Sequence, residues 1–106
     1  MISAKSLNKR INLLKNDSIY SSLTLQNKDY LVALGLKYNF SYQELRQLMI
    51  ISADFSMWKE KSISECVIEI EQSLGHKADK RAVLSEIKRE WNSLKSAKVK
   101  YGPTGD

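Results

Sequence analysis

Residues 40–58 read FSYQELRQLMIISADFSMW, and this stretch decides the fold class. Ser41 stands three residues before Glu44, which is the spacing of a capping box: the serine hydroxyl accepts a hydrogen bond from a backbone N–H, and the glutamate accepts one in return. Leu45 and Leu48 follow at helical spacing, and further apolar residues widen their face. The sequence therefore predicts a mostly buried helix that begins just after Ser41.

The continuation of this helix is less clear. Residues 53–61, ADFSMWKEK, combine the bulky Phe55, Met57 and Trp58 with charged side chains. Both a short helix and a packed loop fit this mixture.

The rest of the chain is predicted to be helical too, because apolar residues recur at steps of three and four behind Ser or Asp caps. One proline and four glycines supply too few turns for a strand-rich domain, which needs one about every 8–12 residues. The fold class is therefore all-α, a compact irregular bundle of five to six short helices. The further predicted helices are residues 3–16, 26–38, 62–74 and 80–97, with a connector over 16–24.

A chain of 106 residues is predicted to form one domain. We expect residues 1–97 to be a single helical domain. Residues 98–106 are expected to be a flexible tail, because they contain two glycines and the only proline.

Gly35 lies inside the second predicted helix, where glycine costs about 1 kcal/mol relative to alanine. The close approach of a neighbouring helix is the favoured explanation. A break in the helix is the alternative.

The composition argues against catalysis and against metal chemistry. Cys66 and His76 are the only residues of their kinds, so neither a disulfide framework nor a zinc site is expected. The four glycines are scattered and form no phosphate-binding loop. We expect no enzyme activity, no cofactor, no metal, no small-molecule substrate and no membrane span. A lone thiol fits a reducing compartment, so a cytoplasmic location is predicted.

The charges are segregated along the chain. The net charge is +4 over residues 1–50, −3 over 51–76 and +4 over 77–106, which sums to +5. Opposite charged patches suit docking to a charged partner or self-association. The alternative is that these charges only solvate the helix faces.

Protein binding is the first functional hypothesis. Aromatic residues and methionine are enriched at interface centres, and here they stand beside mixed charge. The alternative is that they pack in the core between two helices. The predicted partner is another protein, a second copy of the chain included. The predicted contact residues are Phe55, Met57, Trp58, Lys59 and Lys61.

DNA binding through the central helices is the alternative. Residues 29–61 resemble a generic helix-turn-helix unit, of the kind found in sigma-factor-like and resolvase-like DNA readers and hence in transcription regulators. The resemblance implies a second element over 42–50 and a recognition helix that begins near Ser52. Asp54 and Glu60 in that helix would repel phosphate, which favours protein binding. The residues predicted to contact nucleic acid are Arg46, Ser52, Ser56, Lys59, Lys61, Lys5, Lys9 and Arg10.

The last predicted helix is basic around a narrow apolar stripe. Such a helix is compatible with an anionic surface, either a membrane or a nucleic acid. The ordinary interpretation is a solvated helix face.

Overall fold

The structure, a computed structural model, describes residues 3–59 and 61–101. Every regular element among those residues is helical, which confirms the all-α prediction. The chain divides into two compact units, Met1–Glu65 and Cys66–Asp106, and the boundary falls within the fifth helix. The elements are α1 (Ala4–Leu14), α2 (Ser18–Ser22), α3 (Leu25–Tyr38), α4 (Tyr42–Trp58), α5 (Ile63–Leu74), a 3₁₀ turn (Gly75–Lys77) and α6 (Lys80–Tyr101).

Polar side chains fix where the helices begin, because each satisfies a backbone N–H that has no partner within the helix. The capping box predicted at Ser41 is present. The Ser41 backbone N–H donates to Glu44 Oε1 at 2.8 Å, and the Glu44 backbone N–H donates to Ser41 Oγ at 3.2 Å. Side-chain oxygens of Ser3, Asp17, Thr24 and Asp79 cap α1, α2, α3 and α6 in the same way.

The segment predicted to be a connector, residues 16–24, contains the short helix α2. Asp17 starts it by accepting from the Ile19 N–H at 2.9 Å. Leu23, which follows the helix, is buried, whereas Ile19 and Tyr20 are half-buried. The sequence prediction missed α2 because five residues are too few to show an apolar period.

The uncertain segment after Ser52 belongs to α4, which runs unbroken from Tyr42 to Trp58. Serine often ends a helix because its hydroxyl competes for backbone hydrogen bonds. Here the buried Ser52 hydroxyl donates to the Leu48 carbonyl oxygen at 2.7 Å, within the helix itself. α4 continues for almost two further turns to Trp58, and the capping residue Lys59 has a left-handed φ of 58°.

α4 is the central helix of the first unit, because α1, α2 and α3 all pack against it. α1 also packs against α3. Arg10 of α1 adds a polar link, since its guanidinium donates to Asn39 Oδ1 at 2.9 Å and to the Phe40 carbonyl oxygen at 2.6 Å. The buried apolar side chains of α1, α3 and α4 are Leu7, Ile11, Leu14, Leu31, Leu34, Leu45, Leu48, Met49, Ile51 and Phe55.

Gly35 marks the close approach of α1 to α3, as predicted. A Cβ atom at this position would lie 2.6 Å from Leu7 Cδ1 and 3.6 Å from Leu45 Cδ2. Leu7 is only 2% exposed and Leu45 is fully buried. The space of the missing methyl group is therefore filled by side chains of two neighbouring helices.

In the second unit, α5 ends at Leu74 and Gly75 follows with a left-handed φ of 58°, which matches the predicted stop. Cys66 and Val67 of α5 and Val83 and Ile87 of α6 are buried. α6 extends to Tyr101, four residues beyond the predicted end at residue 97. Of the predicted tail, residues 102–106 lie outside the described residues, and the single-domain prediction stays a prediction.

Replacing Gly35 with alanine should destabilise the protein by about 1 kcal/mol. Forcing a methyl group against Leu7 costs about 1–3 kcal/mol, and the better helix propensity of alanine returns up to ~1 kcal/mol. Urea unfolding of G35A, L7A and the double variant measures this contact. We expect the double variant to be more stable than the sum of the single losses by about 1 kcal/mol. If G35A instead raised the unfolding midpoint, the close approach would not exist in solution.

Candidate functional site

The aromatic segment at the end of α4 is split between the core and the surface. Phe55 is fully buried, so the prediction that it contacts a partner is corrected: its ring belongs to the core. Trp58 is half-buried beside it, with the two ring centroids 6.2 Å apart. Met57 points outward and is 68% exposed. Of these three side chains, Met57 is the one that presents most of its surface to a partner.

The two predicted contact lysines lie just beyond the end of α4. Lys59 is exposed at the helix terminus, and Lys61 is half-buried. Together with Ser56, Ser62 and Glu65, they line a shallow depression of about 320 Å³. Its lining is polar and charged except for Phe55 at its base, so it gives little apolar contact area.

The helix-turn-helix arrangement is absent from residues 42–58, which form one helix with no turn at Ile50. Ser52 is 1% exposed and bonded to the Leu48 carbonyl oxygen, so its predicted place on a recognition surface is corrected as well. The predicted turn and the predicted exposure of Ser52 fail for the same reason. The Ser52 hydroxyl bonds within the helix, so the helix continues and Ser52 stays on its buried face.

The remaining nucleic-acid candidates are spread over the first unit. Arg10 bonds to the α3–α4 connection, as described above, and Arg46 lies 3.5 Å from Asp17 in an ion pair. Ser56 is exposed and its hydroxyl accepts from Asn27 Nδ2 at 2.9 Å. Lys5 and Lys9 are exposed on α1. Arg10 and Arg46 are thus engaged within the fold, and Lys61 also interacts within it.

A groove between α2 and α4 is the feature that the sequence analysis missed. It has a volume of about 480 Å³ and is open to solvent along one side. Most of its lining is apolar, with serine hydroxyls and one carboxyl at the margin. The lining residues are Ile19, Ser22, Leu23, Ile50, Ala53, Asp54, Ser56 and Met57.

The wall that α4 contributes is a second apolar stripe. Ile50, Ala53 and Met57 follow one another at steps of three and four, so they lie along one line of the helix. At about 100° per residue, this line faces away from the buried Leu45 and Leu48. A helix that is apolar on two sides is normally covered on both. The spacing of this stripe can be read from the sequence, but the stripe lines a groove only because α2 forms the opposite wall, and α2 was not predicted.

α2 is too short to cover that stripe. Its five residues span about 7.5 Å, whereas the 17 residues of α4 span about 25 Å. The coverage leaves Ile50 and Ala53 half-buried and Met57 exposed. The groove is the uncovered part of the second apolar side of α4.

The groove is mostly apolar and uncharged. Asp54 is the one ionisable side chain among its described lining residues, and this carboxyl already interacts within the fold. Across the described residues, no three His, Cys, Asp or Glu side chains come together in a way that could hold a metal ion. The described helices also include none with the length and apolar content required to cross a membrane.

Comparison with known proteins adds no relative to this picture. No family model, no curated protein and no solved structure matches the chain.

Truncating the two neighbouring side chains Phe55 and Met57 should have very different effects on stability. Phe55→Ala opens a cavity in the core and should cost about 3–5 kcal/mol. Met57→Ala removes an exposed side chain and should change the free energy of unfolding by less than about 0.5 kcal/mol. Denaturant unfolding followed by circular dichroism measures both. Equal losses for the two variants would contradict the division between core and surface.

Proposed function

We propose that this chain is a non-catalytic helical module that binds another protein through the α2–α4 groove. One observation carries the proposal: the second apolar stripe of α4 continues to Met57, beyond the short helix that covers its beginning. Apolar surface left in water favours association with any partner that covers it. An exposed methionine at the end of such a stripe suits binding, because its flexible thioether adapts to the shape of the partner.

The groove fits one face of an amphipathic helix. From Ile50 to Met57 the stripe rises about 10.5 Å, which equals two turns of a partner helix lying alongside. Such a partner inserts apolar side chains spaced i, i+3 or i+4, and i+7. Ser22, Asp54 and Ser56 at the margin supply the polar rim that surrounds the apolar centre of an interface.

A small-molecule ligand fits this groove less well. Small-molecule sites enclose about 70–90% of the ligand surface. This groove has two helical walls and an open side, so it leaves a small ligand largely in water. A helix laid along the groove needs to bury only its apolar face, and its other faces stay in water on the open side.

Two polar contacts hold the walls of the groove in place. Asp17, which caps α2, pairs with Arg46 of α4 at 3.5 Å. Asn27 of α3 donates to Ser56 of α4 at 2.9 Å, and Asn27 itself is only 7% exposed. Since the residues that flank α2 are tied to α4, the groove exists before any partner arrives. A preformed groove lowers the ordering cost of binding.

Photo-crosslinking at position 57 tests the proposal. A benzophenone amino acid replaces Met57 in the full chain, and the same residue at the exposed Gln47 of α4 serves as the matched control. After irradiation in an extract of the source cells, we expect an adduct from position 57 that position 47 does not form. Adding Ile50→Glu should reduce that adduct about tenfold or more, because it places a charge in the groove. Adding Gln47→Glu, with the same change of charge, should leave it intact.

The mass of the adduct identifies the class of partner. A mass of twice the chain means that the partner is a second copy, and any other protein mass means a different partner. Adducts that form equally at both positions, or that survive Ile50→Glu, would overturn the proposal. Circular dichroism melting of each variant confirms that the chain remains folded.

A further inference from the structure

α6 carries a row of cations that the groove does not use. Arg81, Lys88 and Lys95 are spaced seven residues apart, and seven residues are nearly two full turns. The three side chains therefore lie along one flank of the helix, about 10.5 Å from one to the next. Arg81 and Lys95 are exposed and Lys88 is half-buried. We call Arg81, Lys88 and Lys95 the basic flank.

The basic flank keeps its positive charge. Among the described residues, neither Arg81 nor Lys88 forms an ion pair with a carboxylate. The Lys95 ammonium lies 3.7 Å from the centroid of the Trp91 ring, a contact that orients the cation without neutralising it. By contrast, Arg89 on another side of α6 is 3.4 Å from Glu86 and is partly neutralised.

The acidic residues of α6 lie away from this flank. At about 100° per residue, Glu86 and Glu90 fall on the opposite side of the apolar stripe from Arg81, Lys88 and Lys95. The helix thus presents one positive edge rather than alternating charges. A positive edge of this length attracts a partner that carries a regular row of negative charges.

The first half of the apolar face of α6 is already occupied. Val83 and Ile87 are fully buried and Leu84 is 7% exposed. An amphipathic helix binds a membrane by sinking its apolar face into the lipid boundary. α6 cannot offer these side chains while the chain is folded. The basic flank remains accessible from the side, which suits a charged polymer in water.

We propose that the basic flank of α6 binds the phosphate backbone of double-stranded nucleic acid without reading the bases. Double-stranded nucleic acid carries one phosphate charge per about 1.7 Å of its axis, counted over both strands. The three cations span about 21 Å of α6, so each of them meets a dense array of phosphates. Lys and Arg at a phosphate backbone give affinity that is independent of sequence and sensitive to salt.

The test is a salt titration of binding to a fluorescein-labelled, mixed-sequence 20-base-pair DNA duplex, followed by anisotropy. Three phosphate contacts give a slope of about −2.7 for log K against log salt, so the affinity should fall about 40-fold between 50 and 200 mM KCl. R81Q/K88Q/K95Q should bind at least about tenfold more weakly at 50 mM and lose most of the slope.

The matched control is K15Q/K37Q/K77Q, which removes the same charge from exposed positions outside α6. It should keep both the affinity and the slope of the unaltered chain. An equal loss in this control would overturn the proposal, because net charge alone would then explain the binding. The absence of salt-sensitive binding by the unaltered chain would overturn it too.

Two further binding measurements distinguish nucleic acid from other polyanions. Vesicles with a quarter of anionic lipid, or a polyglutamate peptide, replace the duplex. Binding to either that exceeds binding to the duplex, and that R81Q/K88Q/K95Q abolishes, would assign the flank to a lipid or protein partner and contradict the proposal. Met57→Glu changes the groove and leaves the basic flank untouched, so this variant should bind the duplex with nearly unchanged affinity. The proposals for the groove and for the basic flank are therefore tested separately.

Discussion

The first unit depends on α4 remaining one helix from Tyr42 to Trp58. Three other helices pack against it, and its buried face provides Leu45, Leu48 and Phe55 to their shared core. A break near Ser52 would turn Phe55 out of that core. The hydrogen bond from Ser52 to the Leu48 carbonyl oxygen satisfies the one buried polar side chain of α4 inside the helix, so the serine can stay on the buried face. The groove follows from the same continuity, because its stripe needs Ile50, Ala53 and Met57 on one straight line.

Short polar contacts position the smaller elements around α4. The Arg10 guanidinium fastens α1 to the Phe40 carbonyl, and Gly35 lets Leu7 approach α3 without a clash. The Asp17–Arg46 pair is partly exposed and adds little stability by itself, but it fixes the position at which α2 meets α4. The fold thus combines an apolar core with a few specific links, and these links give the groove its shape.

Much of the fold could be predicted from local chemistry, because capping and apolar spacing act within a few residues. The Ser41 capping box, the stop at Gly75 and the close approach at Gly35 all follow from such signals. The continuity of α4 could not be predicted in this way, because the mixture of bulky and charged residues after Ser52 fits both a helix and a packed loop. The groove could not be predicted either, because the stripe through Met57 forms a groove only together with α2. With five residues, α2 is too short to show a helical apolar pattern in the sequence. Phe55 and Met57 are two residues apart, and the surrounding sequence does not distinguish them. The continuous helix places Phe55 in the core and Met57 at the surface.

Amide hydrogen exchange through the middle of α4 tests the central claim most directly. Two-dimensional NMR of the full chain resolves the backbone N–H groups of Ile51, Ser52 and Ala53. A continuous helix predicts that these amides exchange slowly, at rates close to those of Leu48 and Met49, because all of them donate within one helix. Fast exchange confined to Ile51, Ser52 and Ala53, between protected segments on either side, would reveal a turn at this point. That result would contradict both the continuous helix and the groove built on it.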